Sequence, residues 1–163
     1  MALPNGFPVP SDDIRHRAAE ILKSIPNGAP VIFDGLACGA LPEETAALAE
    51  RTCVAALVHH PLAEESGLEE SESSLLFQSE KRSLDHVRHV IVTSDFTARR
   101  LRDYGGEESR VTVIEPGTEA APLAPGTYPD GPVSLLAVAS SVTRAARTLA
   151  TCCERSPESM PVH

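Results

Sequence analysis

Short apolar runs recur along this chain, each separated from the next by a helix-length segment. Val54-Ala55-Ala56-Leu57-Val58 carries five apolar residues without polar alternation and leads straight into His59-His60-Pro61-Leu62. A run of that kind reads as a strand buried on both faces. Val90-Ile91-Val92-Thr93 has the same character. Val31-Ile32-Phe33, Val111-Thr112-Val113-Ile114 and Val133-Ser134-Leu135-Leu136-Ala137-Val138 read as further strands. Between them lie helical patterns with recognisable ends. Ser11 or Asp12 caps a first helix, whose buried face carries Ile14, Ala18, Ile21, Leu22 and Ile25 before Pro26-Asn27-Gly28 stops it. Pro42 stands at a first helical position with Glu43 and Glu44 behind it, predicting a helix to about Arg51. A third helix starts within the acidic residues 63–74 and runs to Val87 or Arg88, with Leu76, Phe77, Leu84 and Val87 along one side. Ser94 or Asp95 caps a fourth, which carries Phe96, Leu101 and Tyr104 and ends at Gly105-Gly106. Strands alternating with helices in this way specify an α/β fold: a parallel sheet with right-handed crossovers and flanking helices.

Composition narrows the partners. The net charge is −9, which disfavours a nucleic-acid duplex, because phosphate neutralisation needs clustered Lys and Arg. No apolar run approaches membrane-spanning length, and the N-terminus lacks the charged-then-apolar pattern of a signal peptide. Cys38, Cys53, Cys152 and Cys153 match no zinc or redox spacing, so a cytoplasmic location is expected.

Parallel sheets carry their chemistry outside the C-terminal ends of the strands. His59 and His60 fall at such an end, and Pro61 stops the strand beside them. Adjacent imidazoles on an extended backbone point to opposite sides, so the pair is a poor chelate for one metal. As loop residues they would equally be satisfied by backbone or water. Ser94 opens a helix at the next strand end, where it serves as a simple N-cap or as part of an anion site. Pro116-Gly117-Thr118-Glu119 and Asp34-Gly35 follow strands too, and each is also readable as a plain turn. Glu64, Glu65, Glu69, Glu70 and Glu72 form an acidic run of the kind that usually makes a solvated face. There is no glycine-rich phosphate loop and no G-x-S-x-G elbow.

Taken in order, Val58-His59-His60-Pro61-Leu62, Val90-Ile91-Val92-Thr93-Ser94, Val111 through Glu119, and Leu135-Leu136-Ala137-Val138-Ala139-Ser140 resemble the family 4 (group 1) glycosyltransferases of GT-B fold. The resemblance covers roughly residues 5–140, and Asn5 through Ser11 looks like a segment found after an early strand in some bacterial members. It implies a Rossmann-like sheet belonging to the N-terminal, acceptor-side domain, facing a second domain that holds most of a nucleotide-sugar donor. It implies hexosyl transfer to a sugar or lipid acceptor with retention of anomeric configuration, with the donor as substrate and no separate cofactor. Matched residue by residue, His59 is the catalytic-site histidine near the donor sugar. His60, Ser94, Gly117 and Glu119 are substrate-binding positions, although the family often has aspartate where Glu119 stands.

The expected organisation is a partial N-terminal domain over residues 1–119, a linker over 120–132 and the first strand of a truncated C-terminal domain over 133–140. Residues 141–163 form an atypical tail, expected to be disordered. Arg144 and Arg147 fall near the family's diphosphate-binding cations, but the pattern around them is lost. A shifted reading frame would account for that loss, and the nucleotide sequence tests it. The family's first strand and its glycine-rich loop are also missing, so the isolated chain is expected to be inactive. Two other classes stay open. One is a non-catalytic binding or interaction module, because a partial sheet leaves edges and an apolar face for self-association. The other is a hydrolase using His59 or His60 with Asp34 or Glu64 as carboxylate partner.

Overall fold

The computed structural model describes residues 1–105, 108–117 and 119–123. Contacts divide the chain into two units, Met1–Thr118 and Glu119–His163. The first contains α1 (Asp12–Lys23), β1 (Pro30–Asp34), α2 (Gly35–Ala40), α3 (Pro42–Ala49), β2 (Cys53–Val58), α4 (Glu70–His86), β3 (His89–Val92), α5 (Asp95–Arg100) and β4 (Val111–Val113). Short 3-10 turns cover Leu62–Glu64, Leu101–Tyr104 and Glu108–Arg110. Of the second unit only residues 119–123 are described, and they form no helix or strand. The expected strand over 133–140, most of the linker and the tail lie outside the described residues.

Local chemistry sets most of these boundaries. Ser11 caps α1 by accepting from the Ile14 N–H. Pro42 opens α3, where its missing N–H costs nothing. α4 begins with a reciprocal capping box between Glu69 and Glu72. The segment after α5 ends at Gly105, whose φ of +78° is the left-handed conformation that glycine adopts without strain.

The four described strands are parallel, and their order in space is their order in sequence, β1-β2-β3-β4. That order has a consequence. Each right-handed crossover steps the same way across the sheet, so each crossover helix is laid on the same face. The core agrees. Phe33, Val54, Ala56, Val58, Val90 and Val92 share one cluster with Ala18 and Leu22 of α1, Cys38 of α2, Leu48 of α3, Leu84 of α4, and Leu101 and Tyr104 beyond α5. The register keeps these strand residues on one face: Phe33 pairs with Ala56, Ala56 with Val90, and Val58 with Val92.

The opposite face is different. Ile32 is 70% exposed, and Ala55, Leu57 and Ile91 are only half-buried. Register brings them together: Ile32 pairs with Ala55, and Leu57 pairs with Ile91. No described helix or strand packs on this side. The apolar runs at 54–58 and 90–93 predict two covered faces, and the structure corrects that expectation: among the described residues one face is covered. Apolar composition fits a strand for burial, whereas connection topology decides which faces receive helices.

α2 was not predicted. Its sequence, Gly-Leu-Ala-Cys-Gly-Ala, has two glycines in six residues and therefore weak helix propensity. Asp34 caps it, with Oδ1 accepting the Leu36 N–H at 3.0 Å. Both glycines are needed for close approach. A Cβ on Gly35 would stand 2.8 Å from the Leu57 carbonyl oxygen, and one on Gly39 would stand 2.7 Å from Leu62 Cδ1.

Candidate functional site

The register brings the C-terminal ends of the strands level. Val58 pairs with Val92, which pairs with Val113, so His59, Thr93 and Ile114 are the next residues along three adjacent strands. The Ile114 N–H continues the ladder to the Val92 carbonyl at 2.8 Å. Asp34 closes the row on the β1 side, opposite Leu57.

His59 and Ser94 are joined through Thr97, a residue the sequence reading passed over. The buried Thr97 hydroxyl donates to the His59 carbonyl at 3.1 Å. Ser94 Oγ caps α5 by accepting the Thr97 N–H at 3.1 Å, and it lies 3.0 Å from Thr97 Oγ1. Because the Thr97 proton goes to His59, the Ser94 hydroxyl donates to Thr97. The backbone at His59 is thus pinned while its imidazole remains exposed. Ser94 performs the N-capping that its position at a helix start suggested.

His60 is exposed as well, and its Nε2 lies 3.1 Å from the Glu64 carbonyl oxygen. Among the described residues no hydrogen bond joins either imidazole to a carboxylate. The two carboxylates considered as hydrolytic partners are occupied otherwise. Asp34 caps α2, and Glu64 Oε1 pairs with Arg100 Nε at 2.6 Å. A His–carboxylate pair for hydrolysis is therefore not assembled. Gly117 is described but exercises none of a glycine's freedoms: its φ is not positive, and a Cβ there would meet nothing within 4 Å. Glu119 begins the second unit and is exposed.

Below the strand ends sits a second residue that the sequence reading missed. Glu80 of α4 is only 1% exposed. Its Oε2 accepts the Leu62 N–H at 2.8 Å, so it holds the segment that follows the two histidines. The carboxyl is pushed up to about 7, first by burial and further by the negative charge of Glu64. The Leu62 N–H and the neighbouring Tyr104 hydroxyl oppose that rise. Oε1 nevertheless has no well-formed hydrogen bond among the described residues, and the Ser83 hydroxyl one turn on is also unpartnered there. The signal was present in the sequence: Glu80 lies on the same helical stripe as Leu76, Leu84 and Val87. Cys38 is buried beside Thr45, and desolvation pushes its thiol up to about 12, so it is an inert packing residue. Among the described residues no group of three or more His, Cys, Asp or Glu could hold a metal ion, and no helix is long and apolar enough to cross a membrane.

A parallel, Rossmann-like α/β sheet whose candidate residues cluster at the carboxyl ends of its strands defines the class of protein. Residues 39–121, about half of the chain, match the family model described as Glycosyltransferase Family 4. The chain belongs to glycosyltransferase family 4, and its sheet corresponds to an N-terminal portion of the GT-B fold. No curated protein and no solved structure matches it.

Proposed function

We propose that this chain is acceptor-side material of a retaining, nucleotide-sugar-dependent hexosyltransferase working in the cytoplasm on a sugar or lipid acceptor. In this reading His59 stands near the donor sugar. His60, Ser94, Gly117 and Glu119 contribute to substrate binding, and the donor is consumed as substrate without a separate cofactor. The observation that carries the proposal is the pinning of His59: an exposed imidazole on a backbone held by Thr97 and, through it, by Ser94. A fixed backbone beneath a free imidazole suits a group that must meet a sugar in one orientation.

Departure of a nucleoside diphosphate requires cationic or N–H stabilisation. The described strand-end residues, 34–36, 59–62, 93–95 and 114–117, include no Lys or Arg. We therefore expect the polypeptide alone to turn over nucleotide sugars negligibly. The test is amide NMR of the purified chain with UDP-glucose, GDP-mannose and simple glycoside acceptors. The expected result is weak binding that shifts His59, Ser94 and their neighbours, with no sugar transferred. Absence of any shift at these residues with every ligand would overturn the site. Turnover at ordinary enzyme rates would overturn the inactivity.

A second reading, a non-catalytic interaction module, is favoured by one observation: the apolar face carrying Ile32, Ala55, Leu57 and Ile91. An uncovered apolar sheet face and open sheet edges both suit association with another chain. Concentration-dependent sedimentation of the purified protein distinguishes the two. Oligomerisation that Ile32→Asp abolishes supports the module.

A further inference from the structure

We infer that Glu80 is a positioning residue for the His59–Leu62 segment, holding it from inside the core through the Leu62 N–H. The inference deepens the role proposed for His59 and rests on that reading for its functional meaning. The geometry itself stands apart from it.

Three features make the contact a built one. The carboxyl lies 18 residues along the chain from Leu62 yet meets its N–H at 2.8 Å in a buried setting. Gly39 makes room for it, because a Cβ there would stand 3.1 Å from Glu80 Cγ and 2.7 Å from the Leu62 side chain. Leu62 is itself 2% exposed, so the segment after the histidines is anchored at both backbone and side chain. His59 is thereby held from two sides: Thr97 grips its carbonyl, and Glu80 grips the chain three residues on. The short 3-10 turn at Leu62–Glu64 is the mechanical link, and the Glu64 carbonyl in that turn lies against the His60 ring.

A buried carboxyl in this position exists in two states that hold Leu62 unequally. An ionised oxygen accepts a charge-assisted hydrogen bond, which is about twice as strong as a neutral one. The protonated acid is a weaker acceptor and a new donor. The groups facing it from the packed elements are Cys38 of α2, Glu64 of the 3-10 turn and Tyr104 beyond α5, with Arg100 engaged by Glu64. Of these, only the Glu64 carboxylate brings a full negative charge, and that charge favours the protonated state. Deprotonation of Glu80 should therefore tighten the hold on Leu62 and, through the turn, narrow the range of positions open to His59.

The test follows the Leu62 and His59 backbone amides by NMR from pH 5 to pH 9 in the full chain. In the unmodified protein the Leu62 amide should move downfield with a midpoint at about pH 7, and the His59 backbone amide should shift in the same step. The Leu62 step should survive in His60→Ala, which removes the neighbouring imidazole as its source. It should vanish in Glu80→Gln, which keeps an acceptor but cannot titrate. A Leu62 amide that is flat across the range in the unmodified protein overturns the inference without needing any variant to fold. So does a step that persists in Glu80→Gln or disappears in His60→Ala. None of these readouts uses a sugar. They leave the glycosyl-transfer reading to its own ligand test.

Discussion

The two faces of the sheet are made of nearly the same amino acids and meet different fates. Val54, Ala56, Val58, Val90 and Val92 are at most 4% exposed, and the five described helices contribute to the layer over them. Ile32, Ala55, Leu57 and Ile91 alternate with them along the same strands, and no described helix or strand packs on them. Composition does not separate the faces. The order β1-β2-β3-β4 does, because uniform right-handed steps send every crossover helix to one side. A doubly wound sheet reverses its order partway and so covers both faces.

Neighbouring residues on β2 give the largest expected contrast. Val58→Asp places an unpaired charge in the core and should cost more than about 4 kcal/mol, abolishing cooperative unfolding. Leu57→Asp, one residue away on the other face, should cost less than about 1 kcal/mol and raise solubility. Thermal melts of both variants decide the matter. If Leu57→Asp proves as damaging as Val58→Asp, the second face is covered in solution and the comparison breaks.

The covered side also contains Glu80, the one charged residue buried among those described, and it predicts a pH signature. Its folded value of about 7 lies above the unfolded carboxylate value, so between roughly pH 4.5 and pH 7 the folded state holds a proton that the unfolded state has released. Glu80's contribution to stability is therefore fully present below the unfolded value and is lost as the pH rises to about 7. Glu80→Gln removes that dependence. Relative to the parent it should gain roughly 3 kcal/mol in going from pH 4 to pH 8. Urea melts at the two pH values measure it, and an equal effect at both would show that the carboxyl is not desolvated.

Packing on the covered side should also be intolerant of added volume. Gly39→Ala inserts a methyl group 2.7 Å from Leu62 Cδ1 and 3.1 Å from Glu80 Cγ, with an expected cost of about 1–3 kcal/mol. Leu62 amide exchange should accelerate along with it. The smallest effect belongs to the link between His59 and Ser94. Thr97→Val removes the hydroxyl that donates to the His59 carbonyl, at about 1 kcal/mol. It should also broaden the His59 resonances. Sharp, unshifted His59 signals in that variant would show that the carbonyl is held by other means.

Much of the frame was readable in the residues because its signals are local. Ser11, Pro42, Ser94 and Gly105 mark helix ends through their own side chains or backbone preferences, and each does so in the structure. The placement of His59 and Ser94 at adjacent strand ends was legible for the same reason: apolar runs fix where strands stop. Gly117 was legible only as a glycine, and its surroundings make no use of that. Glu80 and Thr97 carry no local signal of their roles, because each acts on a residue 18 or 38 positions away.

By itself the sequence determined the alternation of strands and helices, the parallel class that alternation imposes, and the end of the sheet at which candidate groups collect. These follow from periodicity and capping, which act within a few residues. Only the tertiary structure decided that the described strands run in sequential order and that one face takes the described helices. It alone decided that a glycine-rich segment becomes α2 because only hydrogen fits against Leu57 and Leu62, and that a carboxyl on the apolar stripe of α4 grips the chain beyond the histidines. Those outcomes depend on contacts between residues far apart in the chain, and local patterns carry no information about which distant partner will fill a given space.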